Sequence, residues 1–187
     1  MTSIVNLSGL TQLVNSDHRD FSSEQQLEIS KVYSHLKQIA KSQRFKIKGN
    51  GFNTTALVNE AWLKSKDANK SFNDRQHFFA YCALAMRHIL LSQARKNKLI
   101  TYMGHEDDIN EDIHPRSTNN SSDYLLDLEK QLKSLHEYSP RLEQIFCYKF
   151  FGEMDFDAIA HVLDVSERTV FRDWKKARAM LSISMMD

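Results

Sequence analysis

Helix breakers are scarce in this chain. Five glycines and two prolines occur in 187 residues, at positions 9, 49, 51, 104, 115, 140 and 152. Long stretches therefore carry nothing that ends a helix, and no alternating strand pattern is visible. The expected class is all-α. Cysteine is scarce as well: Cys82 and Cys147 stand in separate apolar contexts without CxxC spacing, which excludes a disulfide framework and a cysteine zinc site. Both read as core residues in a reducing compartment. No 18-residue apolar run or signal-peptide pattern appears, so the expected location is cytoplasmic with no membrane partner. Charge of one sign is not in excess either, at a net +1, so any polyanion must be met by local patches.

What is present is 41% apolar residues, enough for one or two small cores. An amphipathic helix is predicted over 24–47, with Leu27, Val32, Leu36, Ile39 and Ala40 inward and Gly49 to Gly51 ending it. A shorter one is expected near Leu10 to Val14. A third over 54–66 places Leu57, Val58, Ala61 and Trp62 at helical spacing, with Asn53 or Thr54 as cap. The longest is expected over 74–98. Its seam is Phe78, Phe79, Cys82, Ala85, Met86, Ile89 and Leu90, with Arg87, Leu91, Arg95 and Lys98 on the outward side.

The pattern breaks over 101–122. Gly104, Pro115, the acidic residues Glu106, Asp107, Asp108, Glu111 and Asp112, and the run Asn119 to Ser122 read as a flexible acidic linker. The chain thus divides into an N-terminal helical domain (1–100), the linker (101–122) and a C-terminal domain (123–187). In the latter, a helix over 123–137 precedes one opening at Pro140, and Phe146, Phe150, Phe151 and Phe156 supply the bulk of a small core.

From Asp155 to Leu181 the sequence reads as helix, tight turn, helix. Asp155 is a candidate cap, Ile159, Ala160 and Leu163 are packing positions, and Asp164 and Val165 make the turn. Ser166 is placed to cap the second helix. Val170, Trp174, Ala177 and Leu181 fall on one stripe. Arg168, Thr169, Arg172, Lys175 and Lys176 fall opposite, with Asp173 the only acid there. A helix-turn-helix with a basic outer face suits the major groove of DNA, and an ordinary helical hairpin with a solvated basic face is the plain alternative.

Together these features resemble the extracytoplasmic-function group of bacterial RNA polymerase sigma factors. The resemblance spans nearly the whole chain and is most specific in Arg75 to Ala80, in Ala85 to Leu90 followed by Ala94 and Arg95, and in Ser166 to Trp174. It implies a promoter-specificity subunit and no enzyme: a protein that binds core RNA polymerase, places it on promoter DNA and helps open the duplex, with no cofactor. On that reading Leu57, Val58, Asn59, Glu60 and Trp62 match the helix that docks on polymerase. Arg87, His88, Leu91 and Arg95 match the helix at the minus-10 element. Phe72, in the loop that captures an unstacked base, is either a stacking wedge or a loop anchor on the core. The minus-35 element falls to Arg168, Thr169, Arg172, Lys175 and Lys176. The linker carboxylates would stand in for RNA phosphates in the polymerase's RNA channel, or simply solubilise the segment.

One departure stands out. The family's docking helix commonly opens on an acidic run of the type Asp-x-Glu-Asp, where this chain has Asn53, Thr54, Thr55 and Ala56. A phosphate on Thr54 or Thr55 would restore negative charge at a helix N-terminus, so a serine/threonine kinase is an expected partner, with an anti-sigma factor the other candidate regulator. Phe171 and Ala158 are smaller departures. The rival readings are a stand-alone helix-turn-helix regulator and a degenerate sigma-like interaction protein. His105, Glu106, Asp107 and Asp108 lack the spacing of a helical metal site, and Cys147 lacks catalytic partners, so no metal and no catalytic residue is assigned.

Overall fold

The computed structural model describes residues 23–46, 53–67, 72–103 and 116–184. Among them are seven helices and no strand: α1 (Ser23–Lys46), α2 (Thr54–Asp67), α3 (Arg75–Met103), α4 (Arg116–Tyr138), α5 (Pro140–Phe150), α6 (Phe156–Leu163) and α7 (Glu167–Ser184). The all-α expectation holds. The short helix expected near Leu10 to Val14 and the acidic residues 106–112 lie outside the described residues.

Helix starts follow local chemistry. The Asn53 side chain accepts the Thr55 backbone N–H at 2.9 Å and caps α2. Asp74 does the same for α3 through the His77 N–H at 2.9 Å. Pro140 opens α5, where its missing N–H costs nothing. Asp155 stands at the N-cap of α6 but makes no side-chain capping bond, contrary to expectation; its carboxylate lies nearest Lys149, at 3.9 Å.

The buried stripe of α1 begins at Val32 and runs through Leu36, Ile39 and Ala40. Leu27, expected inward, is exposed, because the first turns of α1 precede that stripe. α1, α2 and α3 close a core on Leu57, Val58, Ala61, Phe78, Cys82 and Met86. The same core continues without a break into Leu125, Leu128, Leu132, Leu142, Phe146 and Phe151. A second cluster joins Ala80 of α3 to Ile145, Met154, Ile159, Ala160 and Val170. The two halves therefore lie packed against each other along α3. Within the stretch expected as linker, 101–103 prolong α3 and 116–122 open α4.

Several polar contacts fasten this packing. Gln43 is fully buried and donates to the carbonyls of Ala83 and Phe151, both at 3.0 Å. Glu153, at φ 53, accepts from Ser42 and from Lys46. At Gly152 an added Cβ would lie 2.6 Å from the Tyr148 carbonyl oxygen and 3.3 Å from Ala83 Cβ, so the turn folds back on the end of α5 too closely for a side chain, with α3 in tight contact beside it.

Candidate nucleic-acid and polymerase interfaces

The α6–turn–α7 unit, expected as a helix-turn-helix, is built by local choices. Asp164 takes the left-handed conformation at φ 51 and ψ 50, ending α6, a conformation that Asp tolerates better than most residues. Ser166 Oγ then accepts the Thr169 N–H at 3.2 Å and starts α7. Val170, Ala177 and Leu181 are buried, with Trp174 half-buried and stacked on Phe146 at 5.5 Å. The opposite face of α7 leaves Arg168, Arg172, Lys175 and Lys176 exposed, with Thr169 at its edge. Lys175 lies over the exposed Phe171 ring at 4.4 Å, and Lys176 bonds the Tyr138 hydroxyl at 2.9 Å. Asp173 departs from the sequence reading: it is buried and joins Arg141 at 2.8 Å and Arg172 at 3.2 Å. It anchors the basic helix to α5 and leaves the outer face without that acid. Its burial follows from a partner 32 residues away, which helical periodicity cannot reveal.

On α2, Leu57 and Val58 are fully buried and Trp62 packs edge-on against Phe78 at 5.8 Å. Leu57 and Val58 thus turn toward the core in this arrangement, not outward, within the expected docking set. Its exposed members are Asn59 and Glu60. The face they share includes Thr55, Ala56 and Leu63, the last exposed despite being large and apolar. Leu63 stands four residues after Asn59, so the same periodicity could have found it. Arg44 donates to Thr54 Oγ1 at 2.7 Å, while Thr55 stands exposed beside it. The first turn of α2 holds no acidic residue.

The outward stripe expected on α3 divides, with Arg95 and Lys98 exposed and the other two members covered. His88 and Arg95 are exposed, but Arg87 and Leu91 are buried. Arg87 is clamped between Glu129 of α4 and Glu143 of α5, the latter at 3.3 Å, and lies over the Phe151 ring at 5.5 Å. The reason is that α4 and α5 cover this side of α3, and the sequence of α3 alone carries no sign of it. His88 sits at the margin: burial first, and then the Arg87 charge, hold its imidazole below the ordinary 6.5. Phe72 packs on Phe78 at 5.3 Å and on Tyr81 at 5.4 Å in this arrangement.

Sheathed apolar stripe, capped basic helix and the string Ser166 to Trp174 coincide on one element, and the family comparison agrees with them: the ECF sigma factor model matches residues 6–187. The chain belongs to the ECF sigma factor family. That family is one of non-enzymatic transcription factors, and membership gives the chain a sigma factor role in transcription initiation. ECF sigma factors bind core RNA polymerase and promoter DNA, and often anti-sigma factors. Neither the curated proteins nor the solved structures searched contain a match. Among the described residues of this ECF sigma factor, no helix is long and apolar enough to cross a membrane.

Proposed function

We propose that this ECF sigma factor docks on core RNA polymerase through the exposed face of α2 and reads the minus-35 element with α7. The observation that carries this reading is the division of α7 into a buried apolar stripe and an exposed cationic face, with Ser166 fixing its start. Arg168, Thr169, Arg172, Lys175 and Lys176 are the proposed contacts there. An arginine forked onto a guanine edge is worth about 1–3 kcal/mol of discrimination. Asn59, Glu60 and Leu63 are the proposed polymerase contacts. His88 and Arg95 are exposed toward a minus-10 element, whereas Arg87 and Leu91 reach it only once α4 and α5 move off α3. The packed arrangement is on this reading the free form, and polymerase supplies the surface that holds it open.

Run-off transcription with core polymerase tests this. The protein is expected to direct a discrete start from its promoter, and Arg172→Ala is expected to weaken that start roughly 5- to 150-fold, the equivalent of about 1–3 kcal/mol. No promoter-specific transcript, together with tight operator binding by the protein alone, would favour a stand-alone regulator instead.

The finer regulation follows from α2. A phosphate on Thr54 or Thr55 would add about −1.5 to −2 charges beside the Arg44 guanidinium and at a helix N-terminus that lacks acidic residues. It would replace the family's acidic start and strengthen docking. A Thr54→Ala, Thr55→Ala double variant that still drives its promoter at full strength under inducing conditions ends that part of the proposal and leaves an anti-sigma factor as regulator.

A further inference from the structure

The N-terminal turn of α3 and the first helix of the helix-turn-helix meet at a cluster of three side chains that are not among the promoter and polymerase contacts proposed above. Asp74 Oδ2 lies 2.7 Å from His77 Nδ1 and 2.6 Å from His161 Nε2. The two imidazole rings stand edge to face at 5.9 Å. All three ligand atoms fall within 4.8 Å of one another. Asp74 is held for the task, since its other carboxylate oxygen caps α3 by accepting the His77 N–H. His77 follows one turn later on the same helix. His161 arrives from α6, 87 residues along the chain.

From this geometry we infer a divalent transition-metal site, Asp74, His77 and His161, that bridges the two halves of the protein. Two imidazoles and one carboxylate are the donor set of zinc and of its neighbours in the first transition row. A tetrahedral ion at about 2.0–2.1 Å from each donor needs donor atoms about 3.3 Å apart. The carboxylate must therefore draw back from each ring by about 0.6 Å, a shift that side-chain torsions supply without moving either helix. The cluster is half-exposed, with His161 on the open side, so an ion can enter from solvent and a water can complete its coordination.

The consequence is mechanical. Elsewhere α3 and α6 meet through the apolar cluster of Ala80 with Ile159 and Ala160. An ion bound by Asp74 and His77 on one side and His161 on the other would pin α6 to α3. It would thereby favour the arrangement in which Arg87 and Leu91 are covered. This last step rests on the proposed promoter role of that face; the binding of the ion does not.

The test therefore reads the ion directly, on the full chain without polymerase or DNA. Cobalt(II) titrated into the metal-free protein near neutral pH is expected to give visible ligand-field bands saturating at one equivalent, and zinc is expected to displace it. Two variants should abolish the bands. His161→Ala changes an exposed helical position. Asp74→Asn keeps an effective cap for α3 but removes the charged ligand. Circular dichroism checks that both remain helical. Zinc should also raise the thermal unfolding midpoint of the wild-type chain and leave that of His161→Ala unmoved. Absence of the bands in the wild-type protein, or bands that survive in both variants and so report histidines elsewhere, would overturn the site and leave a hydrogen-bonded Asp–His–His contact. Either of those results with promoter-specific transcription by the wild-type protein intact would refute the metal and spare the sigma factor reading.

Discussion

Arg87 is where sequence and structure part most sharply. A helical wheel puts it opposite the α3 seam, yet its guanidinium is buried against Glu129, Glu143 and Phe151. Removing one partner of such a group leaves the others desolvated and unpaired. Arg87→Met is expected to lower the unfolding free energy by about 2–3 kcal/mol, measured by urea denaturation. A change within about 0.5 kcal/mol, the range usual for surface positions, would mean that the side chain is solvated. Its neighbour His88 supplies a pH dependence. Its imidazole is held below 6.5 by burial and then by Arg87, so the unfolded chain takes up the proton first. Stability is expected to be level above pH 6.5, to decline as pH falls through that value, and to level off again below the folded-state value. His88→Gln should make the decline shallower. His35, lowered chiefly by burial as well, supplies part of the slope that remains.

At the scale of elements, much is legible before any coordinates. The scarcity of Gly and Pro announces the helices, and the spacing of Val170, Trp174, Ala177 and Leu181 fixes which side of α7 is buried. Asp164 and Ser166 mark the turn because left-handed backbone and side-chain capping are local properties. What stays hidden is whatever depends on a distant helix. Asp173 turns inward to Arg141, Leu91 lies under α4, and His161 meets Asp74; none has a signal within its own segment. The turn after α5 is another case. Gly152 is an unremarked glycine in the sequence, but an added methyl group would meet the Tyr148 carbonyl at 2.6 Å. Gly152→Ala is expected to destabilise the fold by about 2 kcal/mol, in the range of overpacked sites, and thermal unfolding would register it. An unchanged midpoint would show that the turn stands away from the Tyr148 carbonyl at the end of α5.

Over the whole molecule, two helical halves share one apolar core, with α3 as the common wall. The cationic face of α7 and the outer face of α2 remain available, while the Arg87 and Leu91 side of α3 does not. On the proposed reading, opening exposes part of Leu125, Leu128 and Leu132, a cost that the binding surface of polymerase compensates. A distance measurement reports this most directly. Spin labels at Lys41→Cys on α1 and Ala179→Cys on α7 occupy exposed positions. The native Cys82 and Cys147 are fully buried, and burial holds the Cys82 thiol pKa at about 12, so they stay unlabelled. The free protein is expected to give a single short distance, and the complex with core polymerase and promoter DNA a longer one. A distance that stays short in a complex actively making transcript would contradict the opening of α3 on which promoter contact by Arg87 and Leu91 depends.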